Sequence, residues 1–157
     1  MTSKKRVVLI TGAESGIGKS TSKIFLDNGY KVICTYLKNN NNKNTKDIEY
    51  HRMDITKSKD WENLALYIKK KFKKIDVLVN SAGVRLSGNL ETTSMSDWSY
   101  HLNNNVTGTF LACKYILPFL KKAKNSSIIN VASINSIRGA KNMLAYATSK
   151  SAIISFT

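Results

Sequence analysis

Apolar residues along this chain fall into two rhythms: short unbroken runs, and longer stretches with helical spacing. Residues 6–11 carry Val7, Val8, Leu9 and Ile10 without interruption, as in a strand buried on both faces of a parallel sheet. A helical pattern follows with Ile17, Thr21, Ile24 and Phe25 on one side, and Gly29 ends it. Residues 31–36 and 48–53 read as the second and third strands. Residues 57–72 predict an amphipathic helix whose core stripe is Trp61, Leu64, Ala65, Ile68 and Phe72. Residues 75–80 give a fourth strand. Ser96 or Asp97 then caps a long helix with the stripe Trp98, Leu102, Val106, Phe110, Cys113, Leu117 and Leu120, bent near its end by Pro118. Residues 127–132 form a fifth strand, and a last helix starts at Leu144. Strands alternating with helices predict an α/β fold with a parallel sheet.

A length of 157 residues predicts one domain over positions 1–157, without interdomain linker or repeat. No apolar run approaches the roughly 18–20 residues that span a bilayer. Lys4, Lys5 and Arg6 precede only four apolar residues, so no signal peptide is expected; the reading is a cytoplasmic protein with no membrane partner. Cys34 and Cys113 lie in apolar stretches and read as buried free thiols of a reducing compartment. No metal-ligand spacing occurs.

The net charge of +15 raises the question of nucleic acid. The lysines are scattered over faces that helices turn to water, so no specific nucleic-acid partner is expected, only a salt-sensitive attraction to polyanions. Lys69, Lys70, Lys71, Lys73 and Lys74 read as a solvated helix end favoured by the dipole, and residues 38–44 as an exposed asparagine-rich loop.

Two stretches carry chemistry. Tyr146 and Lys150, four apart on the last helix, share a face at about 5–6 Å between Cβ atoms. A phenol ionises near pH 10, and a neighbouring ammonium favours the phenolate. A shift to neutrality needs roughly 4 kcal/mol, so a second cation is expected, and an oxidised nicotinamide ring is suited to supply it. Ser133, thirteen positions earlier, offers a hydroxyl to hold a carbonyl oxygen. The other stretch is Thr11-Gly12-x-x-x-Gly16-x-Gly18, placed between a strand and a helix. Gly12 permits a tight turn, Gly16 close approach of a pyrophosphate, and Gly18 close packing of helix on strand. The first helical turn, including Ser15 and Ile17, then presents free amides and a positive dipole end to phosphates.

With Asn80-Ser81-Ala82-Gly83, Asn105, Ser133 and Tyr146-x-x-x-Lys150 following in order, this pattern resembles the short-chain dehydrogenase/reductase family, in its short single-domain branch. The resemblance implies a Rossmann-like doubly wound parallel sheet of strand order 3-2-1-4-5. It implies that Tyr146 is the general acid-base and that Lys150 lowers its pKa and binds the nicotinamide ribose. Ser133 would hold the substrate oxygen, and Asn105 would anchor a water that continues the proton relay. Asp54 would contact the adenine amino group. Asn80, Ala82 and Gly83 match a motif that supports the sheet beside the cofactor, with Ser81 departing from the usual second asparagine.

Cofactor choice turns on the end of the second strand, where relatives that use NAD place an acid. Here the position is Tyr36, followed by Leu37 and Lys38 with no carboxylate nearby in sequence, so NADP is expected and NAD remains a second option. Relatives continue for two more strands, a segment at the nicotinamide carboxamide and most of a substrate lid. The chain is therefore expected to be truncated and to be unstable or poorly active as an isolated product. The helix of Tyr146 forms much of a dimer interface in the family, which implies a homo-oligomer. Substrate loops 84–96 and 134–143 select no ligand. Lys121, Lys122 and Lys124 resemble the region where 3-oxoacyl carrier-protein reductases meet their acidic partner. Two readings stand: an NAD(P)-dependent oxidoreductase for a small carbonyl or alcohol, including a carrier-protein reductase, and a nucleotide-binding domain without catalysis.

Overall fold

The computed structural model describes residues 5–38 and 43–157. Lys4, and positions 39–42 of the asparagine-rich loop, lie outside the described residues. The elements run β1 (Val7–Thr11), α1 (Gly16–Asp27), β2 (Lys31–Tyr36), β3 (Ile48–Arg52), α2 (Ser58–Lys71), β4 (Val77–Asn80) and α3 (Met95–His101). A π-helical turn (Leu102–Thr107) leads into α4 (Gly108–Leu120), then β5 (Ser127–Asn130), a 3-10 turn (Ile134–Ser136) and α5 (Leu144–Phe156).

The sheet is parallel, in the order β3-β2-β1-β4-β5 that the family resemblance implied. β1 lies at its centre, with Val8 beside Val32 on one side and Val77 on the other. Because side chains alternate along a strand, β1 feeds two cores. Val7 and Leu9 meet Trp61, Leu64 and Ile68 of α2 and Ala112 and Ile116 of α4. Val8 and Ile10 meet Val32, Val77 and Val79, with Phe25 and Leu26 of α1 packed against them. Burial of each Val, Leu, Ile or Phe among them is worth about 1.5–3 kcal/mol. The predicted stripe of α2 is the one observed, and Trp61 Nε1 donates to Ile55 O at 2.8 Å.

Other faces differ from the periodicity, each for a physical reason. In α1 the buried positions are Gly18 and Ser22, whereas Ile17 and Ile24 are each 61% exposed. The helix turns its smallest residues inward because Gly18 must sit against the Gly12 backbone. In the long helical stretch the cap is Ser94, whose Oγ accepts from Asp97 N at 3.0 Å, so Ser96 and Asp97 lie inside the helix. The π-helical turn takes more residues per turn than an α-helix, so a 3.6-residue stripe projected from Trp98 leaves the core at Phe110 and Leu117, while Cys113 packs at its margin and Leu120 is buried in it. The buried positions are His101, Asn105, Gly108, Thr109, Leu111, Ala112, Ile116, Phe119 and Leu120, and Phe110 and Leu117 are exposed.

Among the described residues β5 is the last strand of the sheet, and Ile128 and Ile129 are exposed. The lysine cluster is only partly solvated: Lys71 pairs with Glu49 at 2.7 Å and Lys74 with Asp76 at 2.7 Å. Both cysteines are free thiols. Burial pushes the Cys34 thiol up to about 12, and also raises that of half-buried Cys113. Among the described residues no helix is long and apolar enough to cross a membrane.

Candidate active site

The site is built where β1 ends and the strand order reverses, the position at which open α/β sheets bind ligands. Three stretches of backbone stack there. Gly12 has φ +67, and a Cβ on it would lie 2.7 Å from Ala82 Cα. A Cβ on Gly18 would lie 2.3 Å from Gly12 O. Side chains at either position would drive α1 or the exit of β4 off the turn. Thr11 Oγ1 secures the same junction by accepting from Ser81 N and Ala82 N, both at 3.1 Å.

Above this stack lies a cleft of about 260 Å³ lined by Gly12, Glu14, Ser15, Gly16, Ile17, Thr35, Tyr36, Leu37, Asp54, Ala82, Gly83, Val84 and Asn104, among others. Ser15 caps α1 by its backbone position without a side-chain bond to the helix, which leaves the amides of the first turn open to the cleft. Nothing stands within 4 Å of where a Cβ on Gly16 would sit. Asp54 accepts from Thr56 N at 2.9 Å and from Thr56 Oγ1 at 2.7 Å, so its carboxylate is held at the rim.

A second group of side chains approaches the cleft from α5 and the π-helical turn. Lys150 is 6% exposed and donates from Nζ to Val131 O at 2.7 Å, which ties α5 to the exit of β5. Burial favours the neutral amine and lowers the Lys150 pKa. Asn105, also buried, clamps Val84 from both sides: Nδ2 donates to Val84 O at 3.0 Å and Oδ1 accepts from Val84 N at 2.7 Å. Asn105 Nδ2 also donates to Ser149 Oγ at 2.8 Å, joining the π-turn to α5. A Cβ on Gly83 would fall 2.9 Å from Asn105 Oδ1 and 3.5 Å from Lys150 Nζ, so the amine reaches the cleft wall. Ser133 begins the 3-10 turn, where its Oγ accepts from Asn135 N at 3.2 Å. Tyr146 shares the face of α5 with Lys150 and is half-buried, its ring edge-on to His101 at 6.4 Å between centroids.

The structure thus gathers Gly12, Ser15, Gly16, Ile17, Tyr36, Asp54, Ala82 and Gly83 around one cleft. Five residues read as cofactor contacts are not in its lining. Tyr146 and Lys150 stand on α5, with Lys150 reaching the wall at Gly83. Gly18 sits beneath the turn against Gly12. Asn80 is buried in the seam between β4 and β5, donating to Asn130 Oδ1 at 2.8 Å. Lys38 is exposed beyond the end of β2.

Sequence reasoning missed Glu14, Thr35 and Asn104 in the lining, and His101 behind it. His101 Nδ1 lies 2.7 Å from Asp97 O, and Nε2 accepts from Leu86 N at 2.9 Å, so Nδ1 carries the proton and the ring fixes residues 84–86 together with Asn105. The four-residue step from His101 to Asn105 was the available signal. Glu14 fills a free position of the glycine pattern, and only the turn aims it at β2.

The family model described as short chain dehydrogenase matches residues 6–157. The chain is 32% identical over 160 residues to the 3-oxoacyl-[acyl-carrier-protein] reductase FabG of Thermotoga maritima, covering 97% of this chain and 65% of that protein. Its fold superposes on ligand-free aldohexose dehydrogenase of Thermoplasma acidophilum with a TM-score of 0.91 and 32% identity, covering 98% of this chain and 59% of the other. A tyrosine-to-phenylalanine variant of ElxO with NADPH bound gives a TM-score of 0.90 and 32% identity, covering 98% of this chain and 66% of the other. The chain spans between 59% and 66% of the length of these relatives.

Proposed function

Since the chain belongs to the short chain dehydrogenase family, we propose that it binds a nicotinamide adenine dinucleotide in the cleft and serves hydride transfer between that cofactor and a small carbonyl or alcohol. The observation that carries the reading is the junction of Lys150, Asn105 and Gly83, where the helix of Tyr146 meets the wall of the glycine-turn cleft. The residues fit the cofactor. The open backbone at Gly16 and the uncapped first turn of α1 suit a pyrophosphate. Thr35 Oγ1 and Glu14 Oε2, buried and without a hydrogen-bond partner among the described residues, suit donors from a ligand.

When bound, the cofactor supplies or takes up the hydride. The chain's own residues handle the proton and the geometry. Tyr146 hands a proton to the carbonyl oxygen in reduction and takes it back in oxidation. Lys150 has three N–H donors and Val131 takes one, which leaves donors for the ribose hydroxyls and a positive charge on the Tyr146 side. Ser133 accepts from Asn135 N and keeps its own hydroxyl proton for the substrate oxygen. The carboxamide of Asn105 is committed to Val84 and Ser149, so we assign it the positioning of the cleft wall rather than a water site. Asp54 faces the adenine end.

NADP is the preferred dinucleotide, since Tyr36 stands where a strand-end acid would repel a 2′-phosphate and Lys38 is exposed next to it; NAD is the alternative. The structure of ElxO with NADPH supports this order by similarity. A free small carbonyl suits the geometry better than a carrier-bound one. Lys121, Lys122 and Lys124 follow α4 and precede β5, at the sheet edge opposite the cleft, so a carrier protein docked there would not deliver its cargo to the same chain. We place the reaction in the cytoplasm, whose reducing poise suits two free thiols. We also propose self-association through the exposed apolar residues of α4 and α5.

The test is titration of the purified chain with NADPH and NADH by fluorescence, followed by NADPH oxidation with a short ketoester. Saturable binding and slow but measurable turnover are expected. A chain that binds neither dinucleotide would reject the proposal, and binding without turnover on any carbonyl would leave a nucleotide-binding domain only.

A further inference from the structure

The end of β2 has no acid of its own, yet the structure brings one to it. Glu14 lies in the glycine turn, and the reversal at Gly12 points its side chain across to β2. Its Oε1 accepts from Leu37 N at 3.3 Å, immediately beyond Tyr36. Its Oε2 is shielded from water and has no hydrogen-bond partner among the described residues. Thr35 Oγ1 lacks one as well, and both residues line the same cleft. A buried carboxylate oxygen without a donor is costly. Here it sits within a cleft whose proposed occupant carries a ribose diol.

We infer that Glu14 accepts a hydrogen bond from the adenosine ribose and thereby keeps NAD usable in a site that Lys38 biases toward NADP. This rests on the proposed dinucleotide site and names the residue that divides the two cofactors within it. A vicinal diol offers two O–H donors, and a carboxylate already fixed on one oxygen by Leu37 N presents the other as the acceptor. A 2′-phosphate removes one donor and sets a dianion against the Glu14 charge, in a position shielded from water where like charges repel strongly. Lys38, exposed beyond Leu37, works in the opposite direction. The balance between a shielded anion and an exposed cation therefore sets the preference.

The experiment measures dissociation constants for NADH and NADPH by calorimetry on the whole chain, the Glu14→Gln variant and the Lys38→Gln variant. Thermal melting without ligand confirms that each is folded. Glutamine keeps an oxygen for Leu37 N, removes the charge and turns the other oxygen from an acceptor into an N–H donor. Glu14→Gln is expected to move the NADPH-to-NADH affinity ratio toward NADPH by about tenfold. Lys38→Gln is expected to move it the other way by a smaller factor. Glu14→Ala is the second variant should glutamine fold poorly, with the same direction expected. A ratio unchanged in the Glu14 variants, or equal weakening of both cofactors, would overturn the inference while the dinucleotide site stands. Failure of the unsubstituted chain to bind either cofactor would overturn both.

Discussion

Lys150 Nζ and Gly83 face each other across the junction of α5 with the exit of β4, with 3.5 Å between the amine and the place a Cβ on Gly83 would take. Asn105 Oδ1 would be closer still, at 2.9 Å. Gly83→Ala should therefore destabilise the fold by about 1–3 kcal/mol and weaken dinucleotide binding, because neither neighbour is a loose surface group. Urea denaturation and a binding titration check both. An alanine variant as stable and as tight as the parent would mean that this junction is not packed as described.

Tyr146→Phe removes one oxygen from a half-buried ring and leaves the edge-on contact with His101 in place. Carbonyl reduction should fall by about 10²–10⁴-fold, with cofactor affinity changed by no more than about twofold. Comparing turnover with the dissociation constant separates a lost proton donor from a damaged site. Equal loss in both would argue against the acid-base role.

Asn105→Ala deletes both hydrogen bonds to the Val84 backbone and the one to Ser149. Buried backbone groups left unpaired cost about 1–3 kcal/mol each, so a loss of roughly 2–4 kcal/mol is expected in urea denaturation. Asn105→Asp keeps an acceptor for Val84 N but has no donor for Val84 O, and should recover only part of that loss.

Acid stability should follow the cluster of Glu49, His51, Tyr67 and Lys71. Burial opposes ionisation of Glu49, but hydrogen bonds from Lys71 and Tyr67 and the nearby positive charge outweigh it and hold the carboxyl below its ordinary 4.5. Burial likewise holds His51 below its ordinary 6.5, against the pull of Glu49. Both folded values are depressed, so the unfolded chain binds more protons in each window. Stability is full above 6.5 and declines as the pH falls, first through His51 and then, below 4.5, through Glu49. His51→Asn should flatten the upper part of the decline in urea midpoints and spare the lower. A parent midpoint constant from neutrality to about pH 5 would contradict this.

Phe110, Leu117, Ile128 and Phe156 line one surface cavity and are all exposed. An apolar patch of this kind favours association. Replacing Phe110 and Leu117 by lysine should weaken self-association by about tenfold in sedimentation velocity, with no loss of helix content. A parent chain that stays monomeric at high concentration would remove the interface proposal.

What the sequence determined by itself was whatever depends on local order. The run Val7–Ile10 reads as a strand covered on both faces, the stripe from Trp61 to Phe72 as an amphipathic helix, and the spaced glycines as a turn between strand and helix, and each is found so. Spacing likewise put Tyr146 and Lys150 on one face of α5. Tertiary structure decided the faces and the partners. Gly18 against Gly12 rotated α1 and left Ile17 in the cleft, and a π-helical turn moved the core stripe from Phe110 and Leu117 to Thr109 and Ile116. It also carried Glu14 to a strand from which it is separated by a whole helix. Periodicity records how each element is divided between apolar and polar sides, but backbone approach and side-chain pairing arise between elements, where chain order carries no distance.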